Sequence, residues 1–92
     1  MKVFDKAQWH IDAGEAIEEV VAKFRVIFEF LDSRNMLSTE GRELLKFGID
    51  SSVSLNERMV TQEGFKFLCK YYNNVVNYKA EKIGVALNKI KI

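Results

Sequence analysis

The chain contains no proline, so it lacks the commonest helix stop and any fixed kink. That absence permits long helices. It contains one cysteine, Cys69, which excludes an internal disulfide framework and a thiolate zinc cluster within one chain. A reducing, cytoplasmic setting is the simplest expectation. No stretch approaches the roughly 20 apolar residues needed to span a bilayer. The opening residues, Met1 to His10, hold no apolar run of signal-peptide length. A strong charge of either sign is missing too: the formal net charge is +1. Nucleic-acid binders usually carry a basic excess, because phosphate contacts supply much of their affinity.

What remains is ordinary globular material. Apolar residues make up 48% of the chain and charged residues 29%, which excludes a disordered tail. Seven Phe, three Tyr and one Trp supply bulky core pieces. A chain of 92 residues has room for one domain and one core. Its margin of stability is thin, so a partner or a second copy would matter. The charge is uneven. Residues 1–78 hold ten Lys/Arg against twelve Asp/Glu, while residues 79–92 hold four Lys against Glu81. The C-terminal tail is the one locally basic region.

Periodicity predicts an all-α fold: a small bundle of three to five helices with an extended N-terminal arm. Residues 1–13 show no helical period and read as an arm that lays Val3, Phe4, Trp9 and Ile11 on the domain. A helix over 14–33 follows from the stripe Ile17, Val20, Val21, Phe24, Ile27, Phe28, Leu31. Glu15, Glu18 and Glu19 suit its N-terminal dipole. A helix over 38–48 has Ser38 as cap, Leu37 as staple and Gly48 as stop. Leu44, Leu45 and Phe47 form its apolar side. A helix over 61–78 starts at Thr61 and weakens at Asn73, Asn74 and Asn77. The tail 79–92 reads as a basic amphipathic helix, with Ile83, Leu87 and Ile90 on one side and Val85 and Ile92 off the stripe. Residues 49–60 fit either a packed loop or a short helix.

The two short helix starts echo each other at an offset of 23 residues. Met36-Leu37-Ser38-Thr39-Glu40-Gly41 parallels Met59-Val60-Thr61-Gln62-Glu63-Gly64. In both, an apolar pair enters the core, a hydroxyl caps the helix, and an early glycine admits a close neighbour. The simplest reading is two independent uses of a common helix start, since two units are few for a solenoid.

Catalytic constellations are absent from the sequence pattern. Acid–base work calls for paired groups of opposed pKa or a His–carboxylate pair. His10 has Asp12 beside it only on an extended backbone, with no third group nearby, and reads as a residue that docks the arm. Cys69 sits in Phe67-Leu68-Cys69-Lys70 and reads as a half-buried small hydrophobe. Asp32 and Glu43 have the spacing of a calcium loop's ends, but Arg34, Met36 and Leu37 stand where oxygen ligands and glycine belong. No phosphate loop or metalloprotease motif occurs. The aromatic residues at helical spacing read as core.

The expectation is therefore a small non-enzymatic protein with no cofactor, no metal site and no membrane location. It would act through protein–protein contact as an inhibitor, immunity-type protein or adaptor, or pair with a second copy. Its candidate surface is the tail: Lys79, Lys82, Ile83, Leu87, Lys89 and Ile90. The rival is a small helix-turn-helix-like DNA-binding regulator, with Lys66 and Lys70 on the third long helix. Too few cations, and Glu40, Glu43 and Glu63 among them, argue against it.

Overall fold

The computed structural model describes residues 1–91. It is a mostly helical domain with five α-helices and a minor two-stranded sheet. In chain order these are β1 (Val3–Lys6), α1 (Ala7–Asp12), α2 (Ile17–Ser33), α3 (Thr39–Phe47), β2 (Ser54–Asn56), α4 (Gln62–Tyr71) and α5 (Ala80–Asn88). Short 3-10 turns cover Glu57–Met59 and Tyr72–Asn74. Ile92, placed off the tail's stripe above, lies outside the described residues.

Helix α2 is the spine. Its predicted stripe becomes the centre of the core from Val20 onward, where Val20, Phe24, Ile27, Phe28 and Leu31 have no exposed surface; Ile17, at the helix start, is 51% exposed, a correction to the stripe. Each such side chain contributes about 1.5–3 kcal/mol by leaving water. Helix α5 packs along α2 with Ile83 and Leu87 buried against it. Val26 of α2 is the near neighbour of Gly84, the smallest residue on α5. The C-terminal segment is thus part of the core.

The N-terminal arm is extended over β1, but its second half is helix α1, a correction to the extended reading of 1–13. Strand β1 pairs antiparallel with β2, Asp5 opposite Leu55 and Lys6 opposite Ser54, with a bulge near Val3. The chain then turns helical at Ala7. The period emerges once His10 is counted as an inward residue, because Ala7, His10 and Ile11 share one face. Gln8 and Asp12, one turn apart on the other side, hydrogen-bond at 2.7 Å. Gly14, at φ +97°, reverses the chain into α2. Residues 49–60, left open between loop and helix, hold β2 and a 3-10 turn.

The two segments of the sequence echo pair with each other. Leu37 and Val60 form an antiparallel bridge. The Ser38 amide donates to the Met59 carbonyl at 2.9 Å, and the Thr61 amide donates to the Met36 carbonyl at 2.8 Å. Each hydroxyl then caps its own helix, Ser38 accepting from the Gly41 amide and Thr61 from the Gly64 amide, both at 3.1 Å. The glycines are explained by the same exchange. A Cβ on Gly41 would lie 2.1 Å from the Met59 oxygen, and one on Gly64 2.6 Å from the Met36 oxygen. Each helix starts against the backbone of the other copy's entry segment. Two related segments exchange bonds reciprocally, as across a local two-fold axis.

Candidate interaction surface

The connector between α4 and α5, residues 72–79, lacks a continuous backbone ladder. Side chains from elsewhere hold it. At its start, the Tyr72 hydroxyl donates to Asp5 Oδ2 at 2.6 Å. In its middle, the Lys23 ammonium donates to the Val76 carbonyl. At its end, the Ala80 amide donates to Glu19 Oε1 at 3.2 Å. The anchors on α2 lie one turn apart, so a single helix face supplies two of them.

The first of these anchors belongs to a buried polar network. Asp5 also faces His10 Nε2, at 2.8 Å to Oδ2 and 3.0 Å to Oδ1. His10 Nδ1 faces Glu15 Oε2 at 2.8 Å. Both ring nitrogens thus face carboxylate oxygens. Neither ring nitrogen is left over for a substrate. His10 does dock the arm, and the pairing with Asp12 that only an extended backbone would allow does not form; the helical turn at 7–12 sends Asp12 outward to Gln8, and Gly14 folds Glu15 back onto the ring. Lys23 is only 1% exposed. Burial lowers its pKa, and the nearby Asp5, Glu15 and Glu19 carboxylates oppose that shift. Tyr72 is pushed upward, first by burial and then by the charge and hydrogen bond of Asp5. No buried side-chain nitrogen or oxygen among the described residues lacks a partner. The network therefore satisfies the rule that buried polar groups must be paired.

What the anchored connector builds is a groove against α5. It encloses about 520 Å³. Val75 and Tyr78 form the connector wall, and Val85, Ala86 and Ile90 the α5 side. Val85 is 58% exposed and Tyr78 45%, so large apolar surface faces solvent here. Lys82 and Lys89 are its charged lining residues. Glu81, the one acid in this stretch, is not among them.

The structure divides the predicted tail surface in two. Ile83 and Leu87 belong to the core, because the apolar stripe of α5 is used against α2. Lys79, Lys82 and Lys89 are exposed, and Ile90 is half-buried at the groove's end. Sequence reasoning passed over Val85, Tyr78 and Val75. Val85 was the signal to follow: an aliphatic residue off the packing stripe of a short helix must point at solvent or at a partner.

Three other expectations change. Cys69 is exposed, not half-buried, since Leu68 and Phe67 take the inward positions of α4. Phe47, expected in the core, is 80% exposed at the last residue of α3. Trp9 is 52% exposed on the outer side of α1, with the Lys6 amine 6.0 Å from its ring centre. Among the described residues no group of His, Cys, Asp and Glu is arranged to hold a metal ion, and no helix is long and apolar enough to cross a membrane. Comparison with protein-family models, curated proteins and solved structures found no match to the chain.

Proposed function

We propose that this is a non-enzymatic binding protein of the cytoplasm that acts by protein–protein contact, as a small inhibitor, immunity-type protein or adaptor does. Its working surface is the groove between α5 and the 72–79 connector. The observation that carries this reading is the exposure of Val85 and Tyr78 side by side in a groove. Exposed apolar surface is unremarked when scattered, but informative when it lines one concavity with a polar rim. An aromatic residue at such a site is a common binding anchor. The buried His10 network supports the reading indirectly. Its groups are spent on one another and on the connector, so they serve the shape of the groove. A DNA-binding role is less well supported, because Glu63 lies with Lys66 and Lys70 on the rim of the hollow over α4.

The test is a partner purified with the full chain and reassembled from pure components. Affinity is then measured for the wild type and for Val85→Asp with Tyr78→Ala. Both side chains are exposed, so melting should change little. The expected result is a loss of affinity of about a thousandfold, equivalent to two hot-spot contacts of about 2 kcal/mol each. A partner bound equally well by the double variant would reject the groove as the working surface.

A further inference from the structure

We infer that the groove is shaped and charged for an acidic amphipathic helix of another protein, with two carboxylates two turns apart and an apolar pair between them. This rests on the groove being the working surface and adds the chemistry of its occupant. Lys82 and Lys89 are seven residues apart, so they stand two helical turns and about 10.5 Å apart along α5. Between them lie Val85 and Ala86, with Tyr78 opposite. The groove thus reads cation, apolar floor, cation. No carboxylate lines it, and Glu19 of α2 is committed to the Ala80 amide. Lys79 and Lys91, both exposed, lie in sequence beyond Lys82 and Lys89 at either end. An acidic helix carrying carboxylates at matching positions meets both lysines while its apolar pair covers Val85. Charge complementarity of this kind speeds association and selects the partner more than it adds affinity.

Two other polyanions suit the apolar floor poorly. A duplex would leave Val85 and Tyr78 unused and find few cations for its phosphates. A lipid surface needs an apolar face to bury, but α5 has spent Ile83 and Leu87 on the core.

The test is an amide NMR titration of the full chain with a synthetic alanine-based helical peptide. The peptide carries two glutamates two turns apart and a leucine pair between them. A second peptide has lysines in place of the glutamates. Vesicles of phosphatidylcholine with phosphatidylglycerol and a short random DNA duplex serve as competing polyanions. The expected result is that the acidic peptide binds about three- to tenfold more tightly than the lysine peptide, with shifts around Val75, Tyr78, Lys82, Val85 and Lys89. Raising salt weakens it, and Lys82→Glu with Lys89→Glu weakens it about three- to tenfold, the reach of two exposed ion pairs. Val85→Asp abolishes it. Equal binding of both peptides, lost in Val85→Asp, would overturn the acidic partner while leaving the groove as a docking surface. Failure of the acidic peptide to bind, or shifts elsewhere, would overturn the inference. So would vesicles or duplex taking the groove in its place. Shifts at Val85 and Tyr78 that depend on protein concentration alone would give the groove to a second copy.

Discussion

Replacing Gly41 by alanine should be among the most damaging single-methyl additions in this protein. In an ordinary helix the change stabilises by about 1 kcal/mol, because alanine loses less backbone freedom. Here the new Cβ would sit 2.1 Å from the Met59 carbonyl oxygen. That is more than an ångström inside van der Waals contact, and the obstacle is backbone. The two entry segments must part. Parting them stretches the Ser38–Met59 hydrogen bond, now 2.9 Å, and the Leu37–Val60 bridge beside it. A buried backbone group left without its partner costs about 1–3 kcal/mol. Leu37 and Val60, both buried, also lose packing. After the helix gain is subtracted, the net loss is about 2–4 kcal/mol. A domain of this size holds only about 5–15 kcal/mol in total. Urea titration followed by far-ultraviolet circular dichroism reads the change directly. Heating should show it as well, since about 1 kcal/mol moves the midpoint of a small domain by about 4–8 °C. Gly84→Ala is the control, because its Cβ would meet only the Val26 side chain, at 3.0 Å. It should stay within about 1 kcal/mol of wild type. A Gly41→Ala protein as stable as wild type would refute the reciprocal pairing of the two helix starts.

Other perturbations test the buried network. Gly64→Ala, with its Cβ 2.6 Å from the Met36 oxygen, should destabilise in the same direction as Gly41→Ala but by less, measured by the same titration. His10→Ala leaves Asp5 without its imidazole partner and should cost about 3–5 kcal/mol in urea denaturation. Tyr72→Phe should cost about 1.5–3 kcal/mol at neutral pH, the worth of a hydrogen bond to a charged group. Because folding raises the Tyr72 pKa, its contribution is whole below the unfolded value of 10.0 and is lost as pH climbs above it. Wild type should therefore weaken more steeply than Tyr72→Phe above about pH 10 in an alkaline melting series. Lys23 has the opposite sign: folding lowers its pKa, so the unfolded chain holds the proton longer and wild-type stability rises as pH climbs from the folded value toward 10.5. The advantage of wild type over Lys23→Met should widen across that window, and a flat difference would show that Lys23 is not held against its charge.

The helices were legible where an apolar period met a cap. α2 shows its stripe without interruption, and Ser38 and Thr61 mark two helix starts by the hydroxyl alone. The N-terminal arm was not legible, because its inward residue is a histidine. A 3.6 period over 7–12 appears only when His10 counts as buried, and what buries it is Asp5, five residues before, and Glu15, five residues after. No composition rule assigns a histidine to a core before its partners are placed. The echo was visible as a repeat, but its meaning lies in pairing across 23 residues, which periodicity does not report. The groove was half legible. The basic tail drew attention to Lys82 and Lys89. The strongest apolar residues of the tail were then assigned to the same surface, although a short helix has only one good apolar face. That face went to the core, and the weaker Val85 was left outside.

The buried polar network and the exposed groove are one construction. A connector of eight residues between two helices has few backbone bonds of its own, and left alone it would fluctuate. Three side chains from other elements fix it at Tyr72, Val76 and Ala80. Burying a lysine and a carboxylate is a costly way to hold a loop, since desolvation opposes each charge. Apolar packing would hold it more cheaply but would need the connector's apolar residues to point inward. Val75 does so while still lining the groove, whereas Tyr78 does not. Two of the three anchors, at Val76 and Ala80, grip the backbone and leave side chains free. That distinction lets a connector present an aromatic ring to solvent while its main chain stays fixed. A rigid wall lowers the ordering cost of binding. The expense of the network is explained if the position of Tyr78 relative to Val85 is what the protein must preserve.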